Sequence, residues 1–270
     1  MEDVPVISFD LDGTLIDSEE RIHPNDIAWL KNPPEGCLLL PTTGRPLFSA
    51  RPIFERNGLV NGQALPWPLV MNNGAAIYQA GENLLEYIPF PVDVQNWLID
   101  YAQQHPRLTF LFMDLKGSYT LWMTDYAEKL SAKHAMNLHV FVDDPRAHIF
   151  SKALILAKNC EEEVTPFLAA VRNFPLNVEC SMPGFYEVLP VHVSKGAGLV
   201  RLLEKLGRAG APVYSAGDGE NDLSTFEVAK FRLAPRNALE VIRQRADLVV
   251  DRTVEGVLGP LLRQAGVLDD

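Results

Sequence analysis

Short apolar runs alternate with amphipathic stretches along the first part of this chain. Residues 4–9 read as a buried strand. Residues 24–30 predict a helix with Pro24 in its first turn, where the missing amide hydrogen is no loss. Residues 37–40 predict a second strand, residues 46–57 a helix stopped by Gly58, and residues 69–71 a third strand. This β-α-β-α-β order predicts a parallel sheet with helices on its faces. The rhythm returns late in the chain. There, helices are predicted at 195–206, 221–228, 238–245 and 254–264, and strands at 213–216, 231–233 and 248–250.

Between these parts the pattern changes. Residues 109–113 and 119–123 read as one strand pair, and 177–180 and 186–189 as another. The turn signals Gly117-Ser118 and Pro183-Gly184 lie inside the pairs. Helices are predicted at 125–134 and 161–172. Strand pairs carrying helices indicate an α+β unit. The expected organisation is an α/β parallel-sheet core, residues 1–83 and 190–270, with a second domain, residues 84–189, inserted into it. Spacing agrees: only a helix and short loops fit between Asp10 and Thr43, whereas the interval from Thr43 to Lys195 far exceeds what a sheet core needs.

Ligands of open parallel sheets bind at the carboxyl ends of the strands, and polar motifs fall there. Asp10-Leu11-Asp12-Gly13-Thr14 follows the first strand. Two carboxylates two residues apart project to one side, and like charges that close require a cation or a shared proton. Gly13 lets the backbone turn sharply. Two acids, a metal and a tight turn suit phosphoryl transfer through an aspartyl-phosphate; an acidic turn ending a strand is the plainer alternative. Thr43-Gly44-Arg45 follows the second strand, Val193-Ser194-Lys195-Gly196 opens a helix, and Gly217-Asp218-Gly219-Glu220-Asn221-Asp222 follows the strand near 213.

Composition narrows the classes. Of 270 residues 47% are apolar, enough for a full core, and the net charge of −11 disfavours nucleic-acid binding. Cys37, Cys160 and Cys180 form no CxxC pair, which fits a reducing compartment and gives no zinc signature. The acidic start lacks the features of a signal peptide, and no apolar run approaches a membrane span, so a soluble, cytoplasmic protein is expected. Six scattered histidines make no HExxH pattern; His192, near Lys195, reads as structural. No P-loop, dinucleotide fingerprint or serine-hydrolase elbow is present.

Taken in order, the four motifs resemble those of haloacid dehalogenase (HAD) superfamily hydrolases, and most closely the Cof-type phosphatases of subclass IIB. Asn73-Gly74-Ala75-Ala76, Ala246-Asp247 and Glu255-Gly256-Val257 add minor matches. The resemblance covers both ends of the chain and is weak in the middle. It implies a Rossmann-like core with a C2B-type cap in the inserted segment, the cap setting substrate specificity. It also implies a Mg²⁺-dependent phosphatase acting on a small phosphorylated metabolite, a sugar phosphate, with no nucleic-acid or membrane partner, as a monomer or small homo-oligomer.

Carried over residue by residue, Asp10 is the nucleophile and a Mg²⁺ ligand. Asp12 lends its backbone carbonyl to the metal and its carboxyl to proton transfer. Asp218 is a further ligand, and Asp222 binds the metal directly, through water, or only supports it. Thr43 and Gly44 hold phosphate oxygens, and Lys195 faces the phosphate from the start of its helix. Arg45 either clamps the substrate or pairs with a core carboxylate. Asn221 orients Lys195 or Asp218, caps a helix, or does both. Asn73 either lines the same mouth or makes a turn. Trp67, Trp97, Trp122 and Phe185 fit either a pocket or the core, and Glu179, Ser181 and Tyr186 are placed where a substrate-selecting strand pair would lie. Thr225, where the family usually has Met, and the stretch Ala234-Pro235-Arg236-Asn237-Ala238 depart from the family pattern. Two rival readings are a phosphomannomutase-like phosphomutase and a non-catalytic phosphate-binding or regulatory module.

Overall fold

In a computed structural model, which describes residues 4–157, 160–182 and 184–269 apart from the side chains of 161 and 180–182, the first apolar run becomes the strand Val6–Phe9. The chain divides into two compact units. One holds the described residues of Met1–Arg45, Arg51–Glu86 and Ser194–Asp270; the other holds Pro46–Ala50 and Tyr87–Val193.

The first unit is built on the expected parallel sheet. Its five strands run in the order Leu248–Val250, Phe231–Pro235, Val213–Ala216, Val6–Phe9 and Leu38–Pro41. Phe9 pairs with both Ala216 and Pro41, so three strands end level and the residues that follow them share one edge. Val6, Ile7 and Phe9 are fully buried, which is why this strand reads as a continuous apolar run. Helix Lys195–Lys205 lays Leu199, Leu202 and Leu203 against Val6, Leu40 and Val213. Each such side chain contributes about 1.5–3 kcal/mol on burial.

Four elements differ from the pattern-based reading. Leu69–Met71 leaves the parallel sheet and pairs antiparallel with Ala76–Gln79 in a three-stranded sheet completed by Asn83–Tyr87. Its link back is the parallel bridge between Thr42 and Val70. The cause is the turn Asn72–Gly74, in which Asn72, Asn73 and Gly74 have φ of 51°, 52° and 92° and reverse the chain. The segment at 221–228 starts as a 3₁₀ turn, Glu220–Asp222, before the helix Leu223–Val228. The expected helix at 238–245 is only Glu240–Arg243, because the preceding residues are tied down: Asn237 Nδ2 donates to Gly13 O at 2.8 Å and Leu239 N to Asp218 O at 2.9 Å. The expected helix at 254–264 is two helices, Arg252–Glu255 and Leu258–Gln264. They are separated at Gly256 (φ 79°), where an added Cβ would lie 2.4 Å from Asp26 Oδ1.

The second unit carries a six-stranded sheet in the order Leu176–Met182, Phe185–Pro190, Lys152–Leu156, Thr109–Met113, Ser118–Thr120 and Leu138–Val140. Every pair is antiparallel except the last, which is parallel. Lys152–Leu156, absent from the pattern-based reading, joins the two predicted strand pairs. Ala153 and Ile155 pack with residues of helices Val92–Gln104 and Val164–Val171, whereas Leu154 and Leu156 pack with Ala127 and Leu130 of helix Asp125–His134. A strand covered on both faces has no alternation to read. Trp97 stacks on Phe174 with centroids 4.1 Å apart, and Trp67 lies 5.4 Å from Phe54, so both serve the cores of their units. Phe185 meets Tyr126 edge-on. Tyr186 packs with the Val92–Gln104 side of the sheet, and Glu179 accepts from Asn177 at 3.0 Å. The side chain of Ser181 and residue Pro183 lie outside the described residues. Among the described residues no helix is long and apolar enough to cross a membrane.

Candidate active site

The level strand ends bring the first and fourth motifs together. Asp10 extends the ladder by donating its amide to Ala216 O at 3.0 Å. The chain then coils tightly: Thr14 N and Ile16 N both donate to Leu11 O, and Leu15 N to Asp10 O. Gly13 (φ 74°) packs so closely that a Cβ there would sit 2.1 Å from Asp218 Oδ2, so both its backbone conformation and the space around it require glycine. Thr14 Oγ1 donates to Asp218 Oδ1 at 3.1 Å.

Lys195 joins the third motif to the others. Its Nζ donates to Asp10 Oδ1 and to Asp222 Oδ1, each at 2.7 Å, and the residue is 1% exposed. The backbone that places it is fixed at two points. Ser194 Oγ caps the helix by accepting from Ala197 N at 3.2 Å, and Gly196 N donates to Ser224 Oγ at 3.0 Å. Asp222 spends its second oxygen on the backbone, accepting from Asp218 N at 2.9 Å and Gly219 N at 3.1 Å. Both of its oxygens are therefore engaged within the protein, a geometry that shapes the 217–219 turn.

Three carboxylates thus face one ammonium. Ligand oxygens of Asp10, Asp218 and Asp222 lie within 4.8 Å of one another. Burial raises the Asp10 carboxyl well above its ordinary range; Lys195 opposes this, and the neighbouring Asp222, Asp218 and Asp12 reinforce it. Asp218 is pushed up to about 7, by burial first and by Asp222 next. For Lys195 burial works against the charge, but the carboxylates of Asp10 and Asp222 outweigh it and hold its pKa above the usual lysine range. An excess of buried negative charge on hard oxygen donors suits a divalent cation that prefers oxygen and retains water, such as Mg²⁺. Asp10 and Asp218 have the fewest competing engagements for that task.

The second motif sits beside this cluster. Thr43 N donates to Val70 O at 2.9 Å, and its Oγ1 accepts from Arg45 N at 3.1 Å, turning the chain at Gly44. Arg45 pairs with carboxylates. Its Nε and Nη2 fork onto Asp12 Oδ2 and Oδ1, both at 2.6 Å, and its Nη1 pairs with Glu20 Oε1 at 2.8 Å. Asn221 donates Nδ2 to Asn73 Oδ1 at 3.3 Å, because the 3₁₀ turn aims it toward the 72–74 turn. Asn73, fully buried, has its Oδ1 where a Cβ on Gly44 would come within 2.6 Å. Asn73 therefore braces the Thr43-Gly44 turn. His192, a residue of the second unit, is exposed with φ of 67°.

Several contributors escaped the sequence reading. Glu20 and Asn57 lie in stretches that read as ordinary polar loop and helix end. Ser224 carried no motif signal, since it acts by bonding the backbone of a distant segment, and Asn237 was visible only within a stretch that departs from the family pattern, not as the donor to Gly13 O. Asn72, whose φ of 51° helps reverse the chain, was not singled out in the sequence.

A family model described as haloacid dehalogenase-like hydrolase matches residues 7–259. The chain is 24% identical over 264 residues to a 5-amino-6-(5-phospho-D-ribitylamino)uracil phosphatase of Bacillus subtilis, covering 97% of this chain and 95% of the relative. It is 26% identical over 244 residues to the HMP-PP phosphatase of Serratia proteamaculans, covering 87% and 85%. A solved structure described as a haloacid dehalogenase-like hydrolase from Bacteroides thetaiotaomicron matches with a TM-score of 0.80 at 26% identity, over 96% of this chain and 98% of the other.

Proposed function

The chain belongs to the haloacid dehalogenase-like hydrolase family, and on that premise we propose that it is a Mg²⁺-dependent phosphatase hydrolysing a small phosphorylated metabolite through an aspartyl-phosphate on Asp10. The observation that carries this reading is the buried Lys195 ammonium bridging Asp10 and Asp222 beside Asp218. That arrangement holds one carboxylate in place as a nucleophile and leaves negative charge over for a metal.

Lys195 engages Oδ1 of Asp10, so the other oxygen is the one available to attack phosphorus. Asp12 donates a proton to the leaving oxygen as the ester bond breaks, then takes one from the water that attacks the acyl-phosphate. Thr43 and the amide at Gly44 receive phosphate oxygens, and Lys195 supplies positive charge near the group in transfer. Asp10, Asp218 and the backbone carbonyl of Asp12 would hold Mg²⁺, with Asp222 ordering the turn that carries Asp218. When bound, the ion neutralises phosphate charge.

Residues 84–189 act in this reading as a C2B-type cap that selects the leaving group. A sugar or sugar-alcohol phosphate is the proposed substrate class, supported by the phospho-ribityl group in the name of the Bacillus subtilis relative. The test is phosphate release from a panel of small phosphate esters with Mg²⁺ and with EDTA. Release that requires Mg²⁺ and favours polyol esters is expected. Inactivity across the panel in excess Mg²⁺ contradicts the reading, and activity that EDTA leaves untouched contradicts its metal.

A further inference from the structure

Asp12 is half exposed, yet its carboxylate is held by two 2.6 Å bonds. The side chain that holds it, Arg45, is only 8% exposed. A guanidinium removed from water needs anions in fixed positions, since an uncompensated buried charge is strongly destabilising. Asp12 is a short side chain and half exposed, so it shields only one edge of the guanidinium. The second anion is Glu20, whose side chain is 11% exposed and pairs with Arg45 Nη1 at 2.8 Å. Its other carboxylate oxygen, Oε2, meets Arg56.

The backbone at Glu20 is unusual in the same direction. Glu20 has φ of 58°, a left-handed conformation that is strained for a non-glycine residue. The 17–22 loop that imposes it is tied at both sides. Glu20 N donates to Asp17 O and Asp17 N to Arg21 O, each at 3.0 Å. Asn57, just past helix Leu47–Arg56, donates Nδ2 to Glu20 O at 3.0 Å and accepts from Ile22 N at 3.0 Å. Glu19, one residue earlier, pairs with Arg21 at the surface. The loop thus bears a strained residue whose carboxylate points inward, and that carboxylate grips the far side of the guanidinium that grips Asp12.

We propose that Glu20 is a positioning residue for the proton-transfer step: it fixes the plane of the Arg45 guanidinium, and the Arg45 fork fixes the plane of the Asp12 carboxylate. This rests on the acid/base role of Asp12 proposed above. A planar bidentate fork transmits orientation because both of its bonds must be satisfied together. Removing the Glu20 charge takes away the ion pair at Nη1, so the guanidinium plane is held less firmly and Asp12 is less well placed toward the leaving oxygen.

The readout is the dependence on leaving group. An alkyl phosphate needs its leaving oxygen protonated, whereas p-nitrophenolate departs without help. Glu20→Gln is expected to lower kcat/KM for glycerol 2-phosphate about tenfold more than for p-nitrophenyl phosphate, a part of the roughly hundredfold that misplacement by a full ångström can cost. Glu20→Asp, which keeps the charge but shortens the reach, should shift the ratio in the same direction by less, and it carries the test if Glu20→Gln folds poorly. Asp12→Asn should show the larger selective loss, and adding Glu20→Gln to it should change the ratio no further. Equal losses on both esters, or none, for Glu20→Gln while Asp12→Asn remains selective overturn the positioning role alone. An Asp12→Asn variant without selective loss overturns the acid/base reading and the positioning role with it.

Discussion

Lys195 Nζ lies 2.7 Å from Asp10 Oδ1 with both side chains almost wholly buried. The contact joins residues 185 positions apart, and it exists because two strand ends and a helix start meet at one sheet edge. The same ammonium lies 2.7 Å from Asp222 Oδ1 and so bridges the two acids.

Removing that ammonium therefore leaves buried carboxylates facing one another. Lys195→Met is expected to cost about 3–5 kcal/mol in urea unfolding of the metal-free protein. The loss should be smaller in millimolar Mg²⁺, because an ion held by the acids substitutes for part of the missing charge. An unchanged unfolding midpoint without metal would contradict this electrostatic account of the cluster.

Gly13→Ala introduces a Cβ 2.1 Å from Asp218 Oδ2 at a residue with φ of 74°. Asp218 must move or the turn must open. Expected outcomes are a stability loss of about 1–3 kcal/mol and at least a tenfold loss of phosphatase activity, the second because Asp218 is displaced. Thermal melts and phosphate-release assays check both. Wild-type values in each would show that the turn tolerates a side chain.

Asp26 gives a pH-dependent prediction away from the site. It accepts from Val257 N and Leu258 N at the start of helix Leu258–Gln264. Burial raises its carboxyl from 3.8 to about 6, against those amide bonds and the nearby charges of His23 and Arg252. Between these values the folded state binds more protons than the unfolded state. The stabilising contribution is therefore fully present below pH 3.8 and is lost as pH rises through about 6. Its size is about 3 kcal/mol, at roughly 1.4 kcal/mol per unit. Asp26→Asn cannot titrate, so its stability relative to the parent should rise with pH across that interval. Denaturant titrations from pH 4.5 to about 7 test this, and parallel curves for the two proteins would contradict it.

Legibility in the sequence followed the range of the interactions. The parallel core was readable because fully buried strands are continuous apolar runs, and the motifs were readable because they stand where such runs stop. Asp10, Lys195, Asp218 and Asp222 do meet at one edge. The departure of Leu69–Met71 into its own sheet was hidden because it depends on Asn72 and Asn73 adopting a conformation that asparagine tolerates but does not require. Lys152–Leu156 was hidden because both of its faces are covered. The split at Gly256 depends on the packing of Asp26, 230 positions earlier. Arg45 illustrates the limit within the site: its residue type suits phosphate and carboxylate equally, and its pairing with Asp12 and Glu20 depends on segments distant from it in the chain.

The central claim is tested most directly by trapping the covalent intermediate. The wild-type protein, mixed with excess substrate and Mg²⁺, is quenched in acid, reduced with borohydride, and mapped by peptide mass spectrometry. Reduction of an acyl-phosphate converts the modified aspartate to homoserine, and this is expected at position 10 alone, with no conversion in Asp10→Asn. Homoserine at another position, or full turnover by the Asp10→Asn protein, would contradict the account.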